Sequence, residues 1–488
     1  MEILAATELE HRLLPAGAIL ALAVVAAVAS RRLRLPLLIT FLCLGMLLGS
    51  EGLGGIYFDD AQLSRTIGIL ALIAILFEGG LTTEWPQIRP ILLPAALLST
   101  VGVFVTAAVT GLAAYWLFDL SRVGALLLGA VVGSTDAAAV FATLRFTPLR
   151  HRLAALLNAE SGANDPTAVA LTIGLITWLT RPHYGAFDVV LLVARQLTIG
   201  LVVGIALGWI ASRVFPRLTG DLAPFAPLAS VASAALAYGA ADTLHGSGFL
   251  AVYVVALWIG NTRMPLRRTV LAFHEGLAFT AQAVLFIVLG LLVFPSQLWP
   301  VAAASLGLAA VLLFVARPVA VLLCTPTRAL SRAERVFVAW AGLRGAVPIV
   351  LATFALSANV HESSTIFNAV FFVVIVSALA QGLTLEPLAR WLGLTGDARP
   401  PFEPPVELDA IRALGGEILE VEAGSAGLEG RHVRDLGLPS SAVVMLVVRD
   451  GTGIAPRGDT RLARGDHVYV FVTGDAEDEV GRLLHTRD

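Results

Sequence analysis

NAESGANDPTAVALT, residues 158 to 172, sets two carboxylates, an asparagine and a proline inside an otherwise apolar run. A charged side chain at the depth of a bilayer is costly, and it is kept where it pairs or binds. On a helix, Ser161 shares a face with Asp165 four residues later, whereas Glu160 is rotated away from that face. The two carboxylates are therefore expected to serve different purposes.

The whole chain has the composition of a membrane protein. Of its 488 residues, 57% are hydrophobic and 14% are charged, which is unlike a soluble globular protein. The two cysteines, Cys43 and Cys324, stand in separate apolar runs, so neither a disulfide framework nor a cysteine metal site is indicated. We expect an all-α polytopic membrane protein that is not an enzyme and has no cofactor.

The apolar runs predict thirteen membrane helices, since a spanning helix needs roughly 20 apolar residues. The runs cover residues 13–30, 36–50, 63–80, 91–117, 123–143, 153–180, 187–212, 224–244, 247–261, 273–293, 299–324, 336–358 and 365–393. Loop arginines concentrate on one side of this arrangement, and short cytoplasmic loops are the arginine-rich ones. The sequence therefore predicts a multi-pass protein of the cytoplasmic membrane, with its N-terminus outside and its C-terminus in the cytoplasm.

A small soluble domain follows the membrane part. Residues 1–395 are assigned to the membrane domain, the Pro-rich stretch GDARPPFEPPVE (396–407) to a linker, and residues 408–488 to a cytoplasmic α+β domain. Its predicted strands are EILEVEA (417–423), AVVMLVV (442–448) and DHVYVFVT (466–473), and its predicted helix is DAEDEVGRLLH (475–485).

Four further ionisable residues lie in other apolar runs: Glu78 in the third, Asp136 in the fifth, Arg317 in the eleventh and Arg344 in the twelfth. Acids and arginines at this depth indicate at least one internal ion pair. An arginine beside Glu160 would leave that acid as a fixed structural charge. Glu78 is a candidate for the ion pathway, although its FEGG motif equally suits a helix boundary.

Two of the runs are interrupted in corresponding positions. Asp136 follows Gly133, Ser134 and Thr135, and Arg344 stands between glycines, with Pro348 after them. Such residues interrupt membrane helices and free backbone carbonyls that can coordinate ions. Paired interruptions in two halves of a transporter point to its midplane site, so the fifth and twelfth helices are predicted to be equivalents in inverted repeats. Asp136 and Arg344 would then compensate the helix dipoles that meet there.

Asp165 is the candidate for the exchanging group. A carboxyl group without a fixed counter-charge in a membrane cavity can exchange a proton near physiological pH. When it is ionised, the same group can bind a hard monovalent cation. The two states exclude each other, so one carboxyl group is sufficient to exchange a cation against a proton.

Four motifs resemble the monovalent cation:proton antiporters of the sodium/proton exchanger superfamily, in its NhaP-type branch. They are STDAAAVFATL (134–144), ESGANDPTAVALT (160–172), ARPVAVLL (316–323) and GLRGAVPIVLA (342–352). The resemblance covers roughly residues 13 to 393. It implies an inverted-repeat fold with a dimerisation domain and a core domain, two unwound crossing helices at the ion site, elevator-like alternating access and a homodimer in the lipid membrane.

The resemblance also implies roles for individual residues. Asp165 would bind the ion or the proton, Ser161 would help to coordinate the cation, and Asn164 would mark the electroneutral branch. Thr135 and Asp136 would belong to the unwound fifth helix and to the ion site. Glu160 would pair with an arginine, for which Arg317 is favoured, and Arg344 would match the arginine of the second unwound helix.

The tail resembles the C-terminal regulator-of-potassium-conductance domain, also called TrkA-C, over VEAGSAGLEGRHVRDLGLP (421–439) and residues 443–472. Such domains usually dimerise and bind small ligands, so a small-molecule or nucleotide ligand is expected here, and no nucleic acid. A glycine-rich dinucleotide fingerprint does not precede the tail, so the sequence does not support NAD binding. An exchanger with this tail resembles the potassium/proton antiporters of the cell volume regulation type.

The sequence thus favours an antiporter that exchanges cytoplasmic K⁺ for external protons. One-for-one exchange holds only if Asp136 does not titrate in the cycle. A Na⁺(Li⁺)/H⁺ antiporter is the closest alternative, because cation choice depends on cavity size and ligand number. A ligand-gated cation channel would also suit the tail, but the chain has no TVGYG-like filter loop. An intramembrane aspartyl protease would need Asp136 and Asp165 as a close dyad.

Overall fold

The computed structural model describes residues 17–30, 32, 36–144, 147, 149–262, 264, 266–325, 330–395, 416–424, 428–449, 452–473 and 480. The chain forms two compact units, Met1–Ala398 and Arg399–Asp488. The predicted linker, residues 396–407, lies outside the described residues, and of the predicted C-terminal helix only Val480 is described.

The regular secondary structure of the first unit is helical over the described residues. Its α-helices are α1 (Gly17–Ser30), α2 (Leu37–Leu48), α3 (Ala61–Thr82), α4 (Trp85–Ile88), α5 (Leu92–Ser99), α6 (Val101–Leu117), α7 (Arg122–Val131), α8 (Ala137–Thr143), α9 (His151–Thr180), α10 (Ala186–Val214), α11 (Ala226–Thr243), α12 (Gly248–Gly260), α13 (Arg267–Leu291), α14 (Pro295–Val311), α15 (Arg317–Cys324), α16 (Arg332–Trp340), α17 (Ala346–Ser357) and α18 (Ser363–Trp391). A π-helix, Leu312–Ala316, joins α14 to α15.

Seven helical segments of the described chain are long and apolar enough to cross a membrane. They are Ala61–Thr82, Trp85–Leu117, Ala186–Arg217, Leu222–Thr243, Arg267–Leu291, Pro295–Cys324 and Ser363–Trp391. Shorter apolar helices are Gly17–Ser30, Leu37–Leu48, Arg122–Val131, Gly248–Gly260 and Ala346–Ser357. The predicted class, a polytopic helical membrane protein with a small sheet-containing domain, is confirmed, whereas the count of thirteen spans and the inverted repeats stay predictions.

The predicted interruptions are present in both segments. The backbone leaves the helical conformation between α7 and α8 at residues 132–136, and between α16 and α17 at residues 341–345. Each flanking helix has at most 12 residues, which at about 1.5 Å per residue is too short to cross a hydrocarbon core of about 30 Å. Each pair of half-helices therefore leaves an irregular link inside the protein.

The helices pack as two groups. The scaffold group consists of α2, α3 and α10 to α13, in which α3 packs on α12 and α13, and α10 packs on α12. The site group consists of α4 to α9 and α14 to α18, in which α6 packs on α7 and α15, and α18 packs on α14 and α17. The groups meet where α9 contacts α10 and α12 and where α17 contacts α3. Helix α9, which carries the buried acids Glu160 and Asp165, therefore lies at the junction of the two groups.

The second unit contains an antiparallel sheet of four strands in the order β1-β4-β2-β3. Its strands are β1 (Gly416–Glu422), β2 (Ala442–Arg449), β3 (Thr452–Ile454) and β4 (His467–Thr473). The three predicted strands are confirmed to within one residue at each end. The short strand β3 was not predicted, because three residues are too few to show an alternating pattern.

An ion pair connects the end of β2 to the residue that precedes β4. The buried Asp466 carboxylate accepts two hydrogen bonds from the Arg449 guanidinium, at 2.7 and 2.8 Å, and one from the Ala463 N–H at 2.7 Å. The hydrogen bonds from Arg449 lower the pKa of the Asp466 carboxyl below its ordinary value. Such a carboxyl group stabilises the fold above its unfolded pKa, and this contribution is lost as the pH falls through the folded pKa.

We expect Asp466→Asn to destabilise the sheet by about 1–3 kcal/mol, because Arg449 loses its charged acceptor. Amide hydrogen exchange of β4 in the full-length chain measures the change. The wild type should lose protection as the pH falls below about 4, whereas the variant should lack this step. An identical pH dependence in both proteins would contradict the assignment.

Candidate functional site

The two irregular links cross each other inside the site group. The Asp136 N–H of the first link donates to the Leu343 carbonyl of the second at 2.8 Å. In return, the Arg344 guanidinium donates to the Gly133 carbonyl at 2.7 Å and to the Ser134 carbonyl. The backbone groups that one break leaves without helical partners are thus hydrogen-bonded to residues of the other link.

The crossing also balances the helix dipoles. Arg344, which is fully buried, lies at the carbonyls that follow the C-terminus of α7. Asp136 caps the N-terminus of α8, with its Oδ1 accepting from the Ala139 N–H at 3.1 Å. A Cβ at Gly345, the N-cap of α17, would lie 1.7 Å from Asp136 Oδ2, so this close approach requires glycine. The acid faces two helix N-termini and the base faces a C-terminus, as the helix dipoles favour.

Helix α9 holds the first link with two polar side chains. The Ser161 hydroxyl donates to the Thr135 carbonyl at 2.9 Å and accepts from the Ala137 N–H at 3.2 Å. The Asn164 amide nitrogen donates to the Thr135 hydroxyl at 2.6 Å. The carbonyls freed by the first break therefore accept hydrogen bonds from Arg344 and Ser161, and the coordination of an ion by them stays a prediction.

Asp165 differs from these residues because one oxygen of its carboxylate has no partner among the described residues. Its carboxylate is buried, and its Oδ1 has no hydrogen-bond partner among the described residues. The Oδ1 of the buried Asn164 also lacks a hydrogen-bond partner among the described residues. Pro166 has no N–H, so it also leaves the Gly162 carbonyl without its usual helical donor. Carboxylate, amide and backbone oxygens fit a hard cation such as K⁺ or Na⁺, and these residues can hold one.

Glu160 is neutralised by Arg317. The guanidinium makes two parallel hydrogen bonds to the carboxylate, one of them 2.9 Å between Nη2 and Oε2, and both side chains are buried. Arg317 Nη2 also donates to the Val338 carbonyl at 3.3 Å. A Cβ at Gly342 would lie 2.7 Å from Arg317 Nε, so the second link packs directly on this pair. Arg317, the favoured partner of Glu160, is the arginine that the structure pairs with it.

Glu78 lies within α3, four residues before the helix ends at Thr82, so its FEGG motif stands in the last two turns of that helix. It is half-buried and interacts electrostatically with Glu275 of α13. Within the part of the chain that the structure describes, His, Cys, Asp and Glu form no group of three that could hold a metal ion. The candidate site therefore consists of α9 and the two links, with Glu78 in the scaffold group.

The sequence reasoning missed the residues of α18 that bind the second link. Ser377 and Gln381 are both fully buried, and Ser377 accepts a hydrogen bond from the Arg344 N–H at 3.2 Å. A serine and an amide four residues apart in an apolar helix are a signal that the sequence does contain.

A family model described as sodium/hydrogen exchanger, transmembrane, matches residues 18–391, and a TrkA-C domain model matches residues 417–485. The chain belongs to the sodium/hydrogen exchanger family. It is therefore a monovalent cation/proton antiporter with a TrkA-C domain, and the ions it moves are substrates rather than cofactors.

Several known proteins are similar to this chain. The K⁺/H⁺ antiporter NhaP of Alkalimonas amylolytica is 41% identical over 466 residues, covering 93% of this chain and 80% of that protein. The K⁺/H⁺ antiporter NhaP2 of Shewanella baltica is 37% identical with the same coverage. The Na⁺/H⁺ antiporter NhaH of Halobacillus dabanensis is 30% identical over 314 residues, covering 61% of this chain and 75% of that protein.

The fold is similar to a solved structure. The sodium proton antiporter MjNhaP1 from Methanocaldococcus jannaschii superposes with a TM-score of 0.65 at 22% identity, covering 75% of this chain and 97% of that chain. The first unit therefore has the NhaP-type fold.

Proposed function

We propose that this chain exchanges cytoplasmic K⁺ for external protons at Asp165, one for one. The observation that carries the proposal is the contrast between two buried acids on α9. Glu160 has Arg317 as a bidentate partner, whereas Asp165 Oδ1 has no hydrogen-bond partner among the described residues. A buried carboxylate without compensation is unstable, and either a proton or a cation relieves it. Asp165 therefore alternates between these two forms.

The one-for-one stoichiometry rests on the fixed state of Asp136. Its carboxylate accepts from the Ala139 N–H and lies against Gly345, so two helix N-termini stabilise its negative charge. Asp136 then remains ionised through the cycle. Of the three acids Asp136, Glu160 and Asp165, Asp165 is then the one that changes its proton, which makes the exchange electroneutral.

Alternating access is proposed as an elevator movement of the site group against the scaffold group. The groups meet through close contacts of small and apolar residues: Val350 of α17 packs on Gly68 of α3, and Tyr253 of α12 packs on Gly162 of α9. Such contacts can slide without breaking many directional bonds. The distribution of loop arginines supports an outside N-terminus and a cytoplasmic TrkA-C domain. The homodimer in the cytoplasmic membrane that the family resemblance implies is proposed with this orientation.

K⁺ is the proposed cation because the relatives of highest identity given above are named K⁺/H⁺ antiporters. The alternative, Na⁺ or Li⁺, is supported by the names of NhaH and MjNhaP1. In inverted vesicles with an acidic lumen, we expect K⁺ to dissipate the pH gradient, measured as dequenching of a pH-sensitive dye. A response to Na⁺ and Li⁺ with none to K⁺ would favour the alternative, and empty-vector vesicles are the control.

We further propose that the TrkA-C domain regulates exchange through the residues that precede it. The end of the membrane unit is fastened to the segment before α9: Leu149 pairs with Thr395 in an antiparallel bridge, and the Arg150 guanidinium donates to the Gly393 carbonyl at 2.9 Å. The Thr147 hydroxyl donates to the Glu386 carboxylate of α18 at 2.8 Å. A force on the chain after Thr395 would thus be transmitted through these contacts to the start of α9, the helix that carries Asp165.

This coupling predicts the behaviour of the double variant Thr147→Ala and Arg150→Ala. Ending the chain after Thr395 should shift the pH profile of exchange in the wild type, and the shift should be smaller in the double variant. The measurement is the dye assay over a pH series with and without the tail. An equal shift in both backgrounds would contradict transmission through these contacts.

A further inference from the structure

Helix α18 bonds the backbone at both ends of the second link. The Arg344 N–H, at the end of the link that leads into α17, donates to the Ser377 hydroxyl at 3.2 Å. That hydroxyl donates to the Gln381 amide oxygen. The Gln381 amide nitrogen donates to the carbonyl of Trp340, the last residue of α16, at 2.5 Å. One continuous chain of hydrogen bonds therefore joins the two half-helix ends.

These bonds replace those that the break removes. Where a helix is interrupted at membrane depth, the freed N–H and C=O groups need partners inside the protein. Ser377 and Gln381 are fully buried, and at a spacing of four residues they lie on one face of α18. Each of their polar groups takes part in this chain of hydrogen bonds. The distance between the two side chains along α18 therefore determines the distance between the two ends of the second link.

The arrangement corresponds to that on α9. Ser161 of α9 binds the backbone of the first link at Thr135 and Ala137, as Ser377 binds the second at Arg344. Four residues after each serine comes Asp165 in α9 and Gln381 in α18. A neutral amide therefore stands in the place on α18 that the exchanging acid has on α9. It bonds the backbone and carries no charge.

Arg344 connects these hydrogen bonds to the candidate site. Its guanidinium binds the Gly133 and Ser134 carbonyls of the first link, and that link is bonded to α9 through Thr135. Moving the Arg344 backbone would move the first link relative to Asp165. We propose that Ser377 and Gln381 are positioning residues for cation/proton exchange, which hold the second link so that Arg344 sets the geometry around Asp165.

This inference rests on the proposed exchange at Asp165. Its test compares Ser377→Ala, Gln381→Ala and Gln381→Glu in full-length chains with a control, Thr384→Ala. Thr384 lies on the same helix. Its hydroxyl accepts from the Trp340 indole N–H at 2.8 Å and donates to backbone carbonyls of its own helix, at Ala380 (2.6 Å) and Gln381 (3.4 Å), but it does not bond the backbone of the link. The half-saturating K⁺ concentration should rise about 3–10-fold for each alanine variant, because each removes hydrogen bonds that hold the link, and remain unchanged for the control.

Gln381→Glu separates positioning from packing, because it keeps the shape of the side chain. A neutral carboxyl group can still donate to the Trp340 carbonyl, whereas an ionised one cannot. Exchange by this variant should therefore approach the wild-type rate at low pH and fall more steeply than the wild type as the pH rises. The protein is purified at low pH, where its fold is checked by gel filtration before the pH is raised.

Two outcomes overturn the inference. One is an alanine variant that is folded and has the half-saturating K⁺ concentration of the wild type, and the other is Gln381→Glu with the wild-type pH profile. If the alanine variants do not fold, the pH profile of Gln381→Glu decides alone. If the proposed function itself were wrong, the result would be different, because the wild type would then show no cation-driven proton movement.

Discussion

Asp165→Asn should reduce cation-driven proton movement to the level of vesicles without the protein. Asparagine has nearly the same shape and can fill the same space, but it neither releases a proton nor carries the charge that attracts a cation. The variant should fold as well as the wild type, because Asp165 Oδ1 has no hydrogen-bond partner to lose among the described residues. The measurement is dye dequenching in inverted vesicles with K⁺, at equal amounts of folded protein.

A matched substitution outside the site is Asp242→Asn, at an exposed position near the end of α11. It removes one carboxylate from the same unit and should leave exchange unchanged. Residual K⁺-driven exchange in folded Asp165→Asn would show that another group moves the proton. Ionic currents far above the turnover of a transporter would indicate the channel alternative instead.

Arg317→Ala should unfold the protein or reduce its yield severely. The substitution leaves the Glu160 carboxylate buried without its bidentate partner, and breaking a buried pair from one side costs about 3–5 kcal/mol. That is a large share of a typical folding free energy. Yield and monodispersity after detergent extraction, followed by gel filtration and thermal unfolding, measure the loss.

The double variant Glu160→Gln with Arg317→Met should recover much of the folded protein, because both charges are removed together. Arg390→Ala is the control, since its pair with Glu386 is largely exposed and should contribute at most about 1 kcal/mol. Glu160→Ala alone should likewise lower the yield. A well-folded but inactive Glu160→Ala would contradict a structural role and would assign Glu160 a direct part in transport.

The sequence was sufficient for the class of fold and for the position of the breaks. Glycine and polar residues at 133–136 and 342–345 interrupt apolar runs that are otherwise long enough to span a membrane, so the two links were visible as local exceptions. The exceptional charges of α9 were visible for the same reason. Local composition determines these features, and it can be read without knowledge of the packing.

The contacts between residues of different helices could not be predicted from the sequence in this way. The π-helix at Leu312–Ala316 directly precedes Arg317, which pairs with Glu160. The π-helix is followed by Pro318, which has no N–H to donate. Its wider turn contains one extra residue, but in a run that is apolar on every face this residue does not change any visible hydrophobic period. The use of the Gly133 carbonyl by Arg344 likewise depends on how the two links cross. Tertiary geometry, rather than local pattern, decides which freed group bonds to which side chain.

The central claim is that a cation and a proton compete for Asp165. Purified protein in a weakly buffered solution, near the pH at which exchange is half-maximal, allows a direct measurement of proton release when K⁺ is added. The account predicts release that saturates with K⁺, at a level set by the protonated fraction and never above about one proton per chain, and none from Asp165→Asn. K⁺ binding without proton release, or equal release from the variant, would contradict it.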